Sequence, residues 1–497
     1  MHYDLIVIGG GIVGCAIAKD AALRGLSVLL IEKQDFGSGA STKTSKLLHG
    51  GLRYLETLEL KLVRESMRER NALLITDPFL AKPLRFVLPV YADSDKKSWM
   101  INLGLKVYDL LSWGSIMPRS KPLTPEESNN LYPFLKKKGL RQCFHYFDGA
   151  MKDSRILIET LLGAKEAGAA LLNYTLVTDF LYRNGKVAGV CFESQKRGLK
   201  ATATATAVVV AAGSSADEVR SLNHEQERVV RRSKGVHLVL KKRIADDAVI
   251  MTSPIDGRVF FLLPWEGKTL LGTTDTELRA GEEVLVERED IRYLLSSVNH
   301  YLENNPLTEE DIASSFAGVR PLILEQGKDS YTSTRSLKMI SSKNGLVTVI
   351  GGKYTTFRRI AEKVVDALYR SHFQGRPFVS CITYERPVEL SRMAMLAEVE
   401  MAEAIASGFH LGLVQALKSR WGSRFALPLK VILSCKDNRV PICPHHPALV
   451  GELLYAVESE EVFTASDWME RRTPYGYFGL CSPECFLRID QLIGKHL

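Results

Sequence analysis

Residues 3–32, YDLIVIGGGIVGCAIAKDAALRGLSVLLIE, admit very few folds. Leu5-Ile6-Val7-Ile8 is a short apolar run rich in β-branched residues, which suits a parallel strand buried on both faces. Gly9, Gly11 and Gly14 follow with G-x-G-x-x-G spacing. The first glycine permits a tight turn, the second lets backbone approach a pyrophosphate, and the third lets a helix pack closely on the strand. An alanine-rich helix is predicted over 12–24, its N-terminus facing the phosphates and Gly25 at its stop. Residues 27–31 read as a second strand. Glu32 ends it, 18 positions past Gly14 and close to the roughly 20 expected of an acid that binds a ribose hydroxyl. Strand, glycines, helix, strand and acid together predict a dinucleotide site. The unit alone does not distinguish NAD from FAD.

At 497 residues the chain exceeds one simple core, and two or three domains are expected. A composition 45% hydrophobic and 25% charged is that of a globular protein. The longest weakly polar run, ATATATAVVVAAG at 201–213, is too short for a membrane-spanning helix. Tyr3-Asp4 leads straight into a strand, so no signal peptide is read. Eight cysteines carry no recognised metal spacing, Cys481 and Cys485 being a loose C-x3-C pair. They are expected to be reduced thiols in a cytoplasmic setting, with no metal site. A net charge of +8 suits an anionic substrate or an anionic membrane surface, and is too dispersed to argue for nucleic acid. An ordinary basic surface accounts for it equally well.

Residues 36–45, FGSGASTKTS, are small and hydroxylated, a loop able to donate hydrogen bonds along an extended cofactor. They lead into SKLLHGGLRYLE at 45–56, where a lysine, a histidine, a glycine pair, an arginine and a tyrosine meet. Two glycines inside a helix would cost about 1 kcal/mol each relative to alanine. They serve better where backbone comes close to a ligand. With the GGGI-x-G turn and the whole 45–56 segment, the chain resembles the FAD-dependent glycerol-3-phosphate dehydrogenase family, within the D-amino-acid-oxidase-like flavoproteins. Motifs at 317–321 and 351–356 extend the resemblance over most of the chain.

The resemblance implies an α/β fold: a Rossmann-like FAD-binding domain, an inserted antiparallel-sheet substrate domain and a C-terminal helical cap. The expected FAD-binding domain takes 1–85 with 150–220 and 315–385, and the substrate domain takes 86–149 with 221–314. Residues 386–497 are left for the cap. Near Pro83–Pro89 a helical reading gives way to a strand, and 98–117 is amphipathic, either a helix on the protein or a membrane-facing segment. A helix is expected over 151–166, a strand near 173–177 and a hairpin at Asn184-Gly185. Residues 208–213 read as a parallel strand, and 233–275 as mostly strand. A strand over 345–350, the glycines Gly351-Gly352 and a helix over 357–369 make a second anion-suited helix N-terminus. In the cap, helices are clearest over 395–406 and 447–459, and Arg471 and Arg472 are expected in structural ion pairs.

The reaction the resemblance implies is oxidation of sn-glycerol 3-phosphate to dihydroxyacetone phosphate, hydride passing from C2 to flavin N5. Such chemistry needs fixed cations for a dianionic phosphate and a base for the hydroxyl proton. The family pattern gives Arg53, Tyr54, Arg320, Arg335 and Thr355 to the substrate, and His49, Arg320 and Lys353 to catalysis. His49 is the favoured base, with Lys353 or a water as alternatives. Asp275 reads as a turn-capping carboxylate. FAD contacts are implied for Gly9, Gly11, Ile12, Gly14, Glu32, Lys33, Ser41, Thr42, Ser45, Lys46, Leu48 and His49. Further along they are implied for Val177, Gly213, Gly352, Lys353, Tyr354, Thr355 and Thr356. Ser336 after Arg335, where the family has an acid, and Val13, where some members have asparagine, depart from the pattern.

By resemblance the electrons go to a membrane quinone, from a cytoplasmic protein seated peripherally on the inner face of the membrane, and a homodimer is compatible with this. An oxygen-using oxidase typically carries an insertion for which this length leaves little room. The rival readings are an amine or amino-acid oxidase of the same fold, which needs fewer cations, and a flavin-bound protein without catalysis. The R-Y, G-V-R-P and GGK motifs argue against the first, and the set His49, Arg53, Arg320 and Lys353 against the second.

Overall fold

His2–Ile8 runs between two parallel neighbours, Leu199–Val210 and Val28–Ile31, and is buried from Asp4 onward. The sheet continues from Val28–Ile31 to Ala170–Leu172 and from Leu199–Val210 to Val347–Gly351, all parallel, with Leu337–Ser341 antiparallel at the edge. The ATATATAVVV run explains itself in this setting. Its first half is an antiparallel ribbon with Lys186–Ser194 and Thr175–Arg183, where Thr202, Thr204 and Thr206 face solvent and the alanines face inward. Its second half, Ala207–Val210, enters the parallel core and is buried on both faces. The computed structural model describes residues 1–55, 59–94, 97–279, 281–325, 327, 336–384, 405–406, 410–444, 446–479 and 481–496.

One face of this sheet is covered by Ile12–Leu23, Asp153–Glu166 and Phe357–Ser371. The last shows why it packs there: Phe357, Ile360, Ala361, Val364, Val365 and Leu368 form one apolar stripe at helical spacing. Each of the larger of these buried side chains contributes about 1.5–3 kcal/mol.

A second, ten-stranded sheet carries the inserted region. Its path runs Thr276–Leu278, Val230–Leu240, Lys268–Gly272, Val259–Trp265, Ala248–Thr252, Ala81–Tyr91, Leu140–Met151, Leu47–Leu48, and Ile312–Ile323 also pairs with Val230–Leu240. It is antiparallel except where Ala248–Thr252 meets Ala81–Tyr91 in parallel. Three strands cross the expected domain limits: Ala81–Tyr91 spans 85/86, Leu140–Met151 spans 149/150 and Ile312–Ile323 spans 314/315. A strand is hydrogen-bonded along its whole length, so pattern changes inside it do not mark a boundary.

The C-terminal region is helical. The helix expected over 447–459 is Val450–Ser459, and the one expected over 395–406 falls outside the described residues except for its last two positions. Arg471 and Arg472 form the expected ion pairs, with Arg471 Nε 2.5 Å from Asp35 Oδ2 and Arg472 Nη2 3.0 Å from Asp35 Oδ1. One cysteine expectation is corrected. Cys443 and Cys485 form a disulfide, and the other six are free. The pair is 42 residues apart, so its neighbourhood arises from helix packing and not from a readable spacing.

The 98–117 stretch forms the helix Ser98–Leu111, which buries only Leu105 and Tyr108. Trp99, Leu103 and Leu110 are 63%, 58% and 65% exposed, and Trp113 just beyond it is 75% exposed. Among the described residues no helix is long and apolar enough to cross a membrane.

Candidate active site

The ends of the parallel strands and the concave side of the second sheet enclose one cavity of about 1590 Å³. An ordinary small-molecule pocket is about 300–1,000 Å³, so there is room for a dinucleotide and a substrate together. At one end stands the glycine turn. Gly9 has φ +113°, and a Cβ there would lie 2.6 Å from the Ala211 carbonyl oxygen. A Cβ on Gly14 would collide with the Gly9 carbonyl, which is why the helix can sit so close to its strand. Helix Ile12–Leu23 has no acid in its first turn, and Ser41 Oγ accepts from Ile12 N at 3.0 Å. Glu32 accepts from Gly10 N at 2.6 Å and from Gln34 N at 2.9 Å, and these two donors oppose the burial that pushes its carboxyl upward.

At the other end the strand Val230–Leu240 presents Ser233, Gly235 and His237 at alternate positions, one face of the pleat. Arg320 is the cross-strand partner of Ser233. Its guanidinium donates to Thr273 Oγ1 at 2.8 Å and to the Thr274 carbonyl at 3.1 Å, and Asp275 Oδ1 is 3.7 Å away. Gly235 leaves the space, since a Cβ there would lie 2.6 Å from Arg320 Cζ. Asp275 therefore helps to hold an arginine, while its backbone carbonyl accepts from Arg258.

His237 is 3% exposed, with Nε2 2.9 Å from Ser45 Oγ and its ring stacked on Phe316 at 5.1 Å. Its Nδ1 is buried without a hydrogen-bond partner among the described residues. Burial, reinforced by Arg320 and Lys46, holds this imidazole well below the usual range, so it is neutral near pH 7. The sequence reading missed it, taking VHLVLKK as plain strand. The signal was there: a polar serine, a glycine and a histidine at period two inside an apolar run.

Lys353 stands before the turn Tyr354–Thr356 that leads into helix Phe357–Ser371, its ammonium donating to Ser66 Oγ at 3.2 Å and lying 3.8 Å from the Tyr54 ring centroid. Gly351 and Gly352 before it have φ +76° and +87°, left-handed backbone that delivers the chain into the helix. In the 45–56 segment, Leu47–Leu48 is a short strand, and Gly50 N donates to Asp148 Oδ1 at 2.9 Å. A Cβ on Gly51 would lie 2.9 Å from Lys353 Nζ, so this glycine makes room for the lysine. Asp148 was also unforeseen, and it holds Arg70 Nη1 at 2.6 Å and the Tyr108 hydroxyl at 2.8 Å.

Most expected residues meet at this cavity. Gly9, Gly11, Ile12, Glu32, Lys33, Ser41 and Ser45 line it from the first domain, with His49, Tyr54, Val177 and Gly213. Arg320, Gly352, Lys353, Tyr354 and Thr355 line it from the other side, and Val13 is part of the wall. Gly14, Thr42, Lys46, Leu48 and Thr356 stand behind that wall. Lys46 Nζ pairs with Asp153 at 2.8 Å, Thr42 Oγ1 donates to the Gly37 carbonyl at 2.8 Å and Leu48 is buried. Arg53 belongs to the short turn Leu52–Leu55, its side chain outside the described set, and Arg335 lies outside the described residues altogether.

The description "FAD dependent oxidoreductase" fits residues 4–358 as a family match. A glycerol-3-phosphate dehydrogenase of Synechocystis sp. is 35% identical over 95% of this chain and 88% of its own length. An aerobic glycerol-3-phosphate dehydrogenase of Bacillus subtilis is 34% identical over 96% and 88%. This chain belongs to the FAD-dependent glycerol-3-phosphate dehydrogenase family. Among solved structures, the family member from Bacillus halodurans complexed with FAD superposes with a TM-score of 0.77 at 27% identity, covering 100% of this chain and 94% of that one. This glycerol-3-phosphate dehydrogenase family member is a flavin oxidoreductase, and its cofactor is FAD. The residues fit that group. The acid-free helix N-terminus suits a pyrophosphate, Glu32 stands at the end of the second strand, and Gly9, Gly11 and Gly213 keep side chains out of the crevice.

Proposed function

We propose that the enzyme oxidises sn-glycerol 3-phosphate to dihydroxyacetone phosphate and passes the electrons to a quinone at a membrane surface. The observation that carries this reading is the meeting of Arg320, His237 and Lys353 in the cavity that the nucleotide turn opens into. FAD, when bound, supplies the two-electron acceptor for the C2 hydride. The chain's own groups do the remainder. Arg320, fixed by Thr273, Thr274 and Asp275, offers a preset fork to the phosphate, with Arg53 and Arg335 as further cations. His237 takes the C2 hydroxyl proton. His49 lines the same cavity, but His237 is favoured because burial keeps its imidazole neutral and Ser45 Oγ, 2.9 Å from Nε2, orients its ring. Lys353, at the positive end of helix Phe357–Ser371, stabilises negative charge beside the reacting atoms.

The test is an anaerobic titration of the purified holoenzyme. Bleaching of the flavin by glycerol 3-phosphate, and not by glycine or sarcosine, is the expected result. Bleaching by an amine alone would overturn the substrate.

The membrane part rests on the helix Ser98–Leu111. Met100, Ile101, Gly104 and Leu105 of that helix line the cavity, while Trp99, Leu103 and Leu110 point outward as an apolar face. An apolar acceptor arriving from a lipid layer would thus meet the cavity through this helix. Trp99→Glu with Leu103→Glu is expected to weaken vesicle binding by about tenfold or more and to slow quinone reduction, with substrate bleaching unchanged. Vesicle sedimentation that is the same for both proteins would refute this docking face.

A further inference from the structure

The C-terminal region gathers three cysteines that the proposed chemistry does not use. Cys443 lies in the loop before helix Val450–Ser459, and Cys485 in the first turn of helix Pro483–Gly494. Cys481 precedes that helix, four residues after Tyr477. Their three Sγ atoms lie within 4.8 Å of one another. Three thiolates around a tetrahedral zinc ion, with Zn–S near 2.3 Å, stand about 3.8 Å apart. Cys443 and Cys485 are bonded to each other, so the sulfurs reach that spacing only once the bond is reduced and the two move apart, with Cys481 already beside them. Among the described residues this is the one group of three or more histidine, cysteine or acidic side chains so placed.

The surroundings favour soft ligation by sulfur alone. Cys485 is buried in the first turn of its helix, whose N-terminus no side chain caps. His446, three residues from Cys443, is turned inward, with Nδ1 3.1 Å from Ala448 N and Nε2 3.2 Å from Trp468 Nε1. Cys443 and Cys481 are half-exposed, so the fourth position is open to solvent.

We propose that, once the Cys443–Cys485 bond is reduced, Cys443, Cys481 and Cys485 hold one zinc-class divalent cation, with water in the fourth position. Reduction takes a two-electron donor, a dithiol in the cell or a phosphine in the tube. Each sulfur gains one electron and one proton. The dithiol leaves as its disulfide, or the phosphine as its oxide with oxygen from water. Binding of the cation then releases the three thiol protons.

The site would pin a functional segment. Tyr477, close before Cys481, packs on Phe316 at 4.9 Å, and Phe316 in turn stacks on His237. Phe478 packs on Trp265 at 5.4 Å, and the Tyr477 carbonyl accepts from Ser314 Oγ. Closing the three sulfurs around one ion holds this aromatic layer against the substrate sheet.

The experiment uses the full-length holoenzyme, reduced with a phosphine, desalted anaerobically and titrated with Co²⁺ alone. The expected result is one Co²⁺ per chain with the absorption of tetrahedral thiolate coordination, and none in the unreduced protein. Cys481→Ser is expected to weaken binding by roughly a hundredfold. Cys435→Ser, an exposed cysteine outside the cluster, leaves binding unchanged. Cys481→Ser keeps Cys443 and Cys485 intact, so the test survives even if Cys443→Ser does not fold. Absence of the thiolate spectrum in reduced protein, or equal affinity in Cys481→Ser, overturns the proposal.

Discussion

Exchange of His237 for asparagine is expected to slow flavin reduction by glycerol 3-phosphate by about 10²–10⁴-fold, the usual contribution of a positioned general base. Asparagine keeps a polar group of similar reach to Ser45 Oγ and removes only the basic nitrogen, so the flavin content should not change. The pH profile gives an independent readout. Because the folded imidazole is held well below its ordinary value, the group is already neutral at neutral pH. The wild-type rate should therefore stay level as pH falls through about 6.5, where an unperturbed histidine would begin to protonate. The drop comes only further into acid. Stopped-flow reduction traces of the wild type and of His237→Asn and His49→Asn decide the matter. If His49→Asn loses the rate and His237→Asn keeps it, the base is His49.

Asp35→Ala is expected to destabilise the protein by about 3–5 kcal/mol, the range for removing one partner of a buried ion pair. Asp35 is buried and receives both Arg471 and Arg472, while Asn173 Nδ2 donates to it at 3.1 Å. Without it two guanidinium groups lose their shared partner at the contact between the nucleotide-binding turn and the C-terminal region. Arg471 keeps Asp467 at 2.5 Å, whereas Arg472 Nε stands 3.9 Å from Glu460 Oε2. The effect should thus exceed that of Arg471→Ala. Urea denaturation measures it as a fall in midpoint at constant slope. A change below about 1 kcal/mol, the size of a surface pair, would show that water reaches the cluster.

The nucleotide turn was legible because its constraints are local. Gly9 needs positive φ, Gly14 must admit a neighbouring carbonyl, and Glu32 ends a strand whose register the apolar run sets. The same holds for Gly351-Gly352-Lys353, where a strand, two left-handed glycines and a helix start follow one another along the chain. Arg320 could be named from its motif, but not the reason it points into the cavity. That depends on Ser233 opposite it in the sheet and on Gly235, which lies 85 residues away in sequence and leaves the space. The glycine pair in the 45–56 segment had been assigned to close contact with a ligand. Gly51 does line the cavity, but only the folded structure shows that Gly50 N donates to Asp148 and that Gly51 makes room for Lys353.

What the sequence determined by itself was therefore the dinucleotide unit, the family and a set of site residues most of which line the cavity. The tertiary structure alone decided that His237 is a buried neutral imidazole, that Asp148 and Asp35 hold arginines, and that three cysteines from separate segments meet. The physical reason is common to all of these. Turn and strand preferences act between residues a few positions apart, whereas desolvation, ion pairing and sulfur–sulfur proximity depend on groups that only the packed sheets and helices bring together.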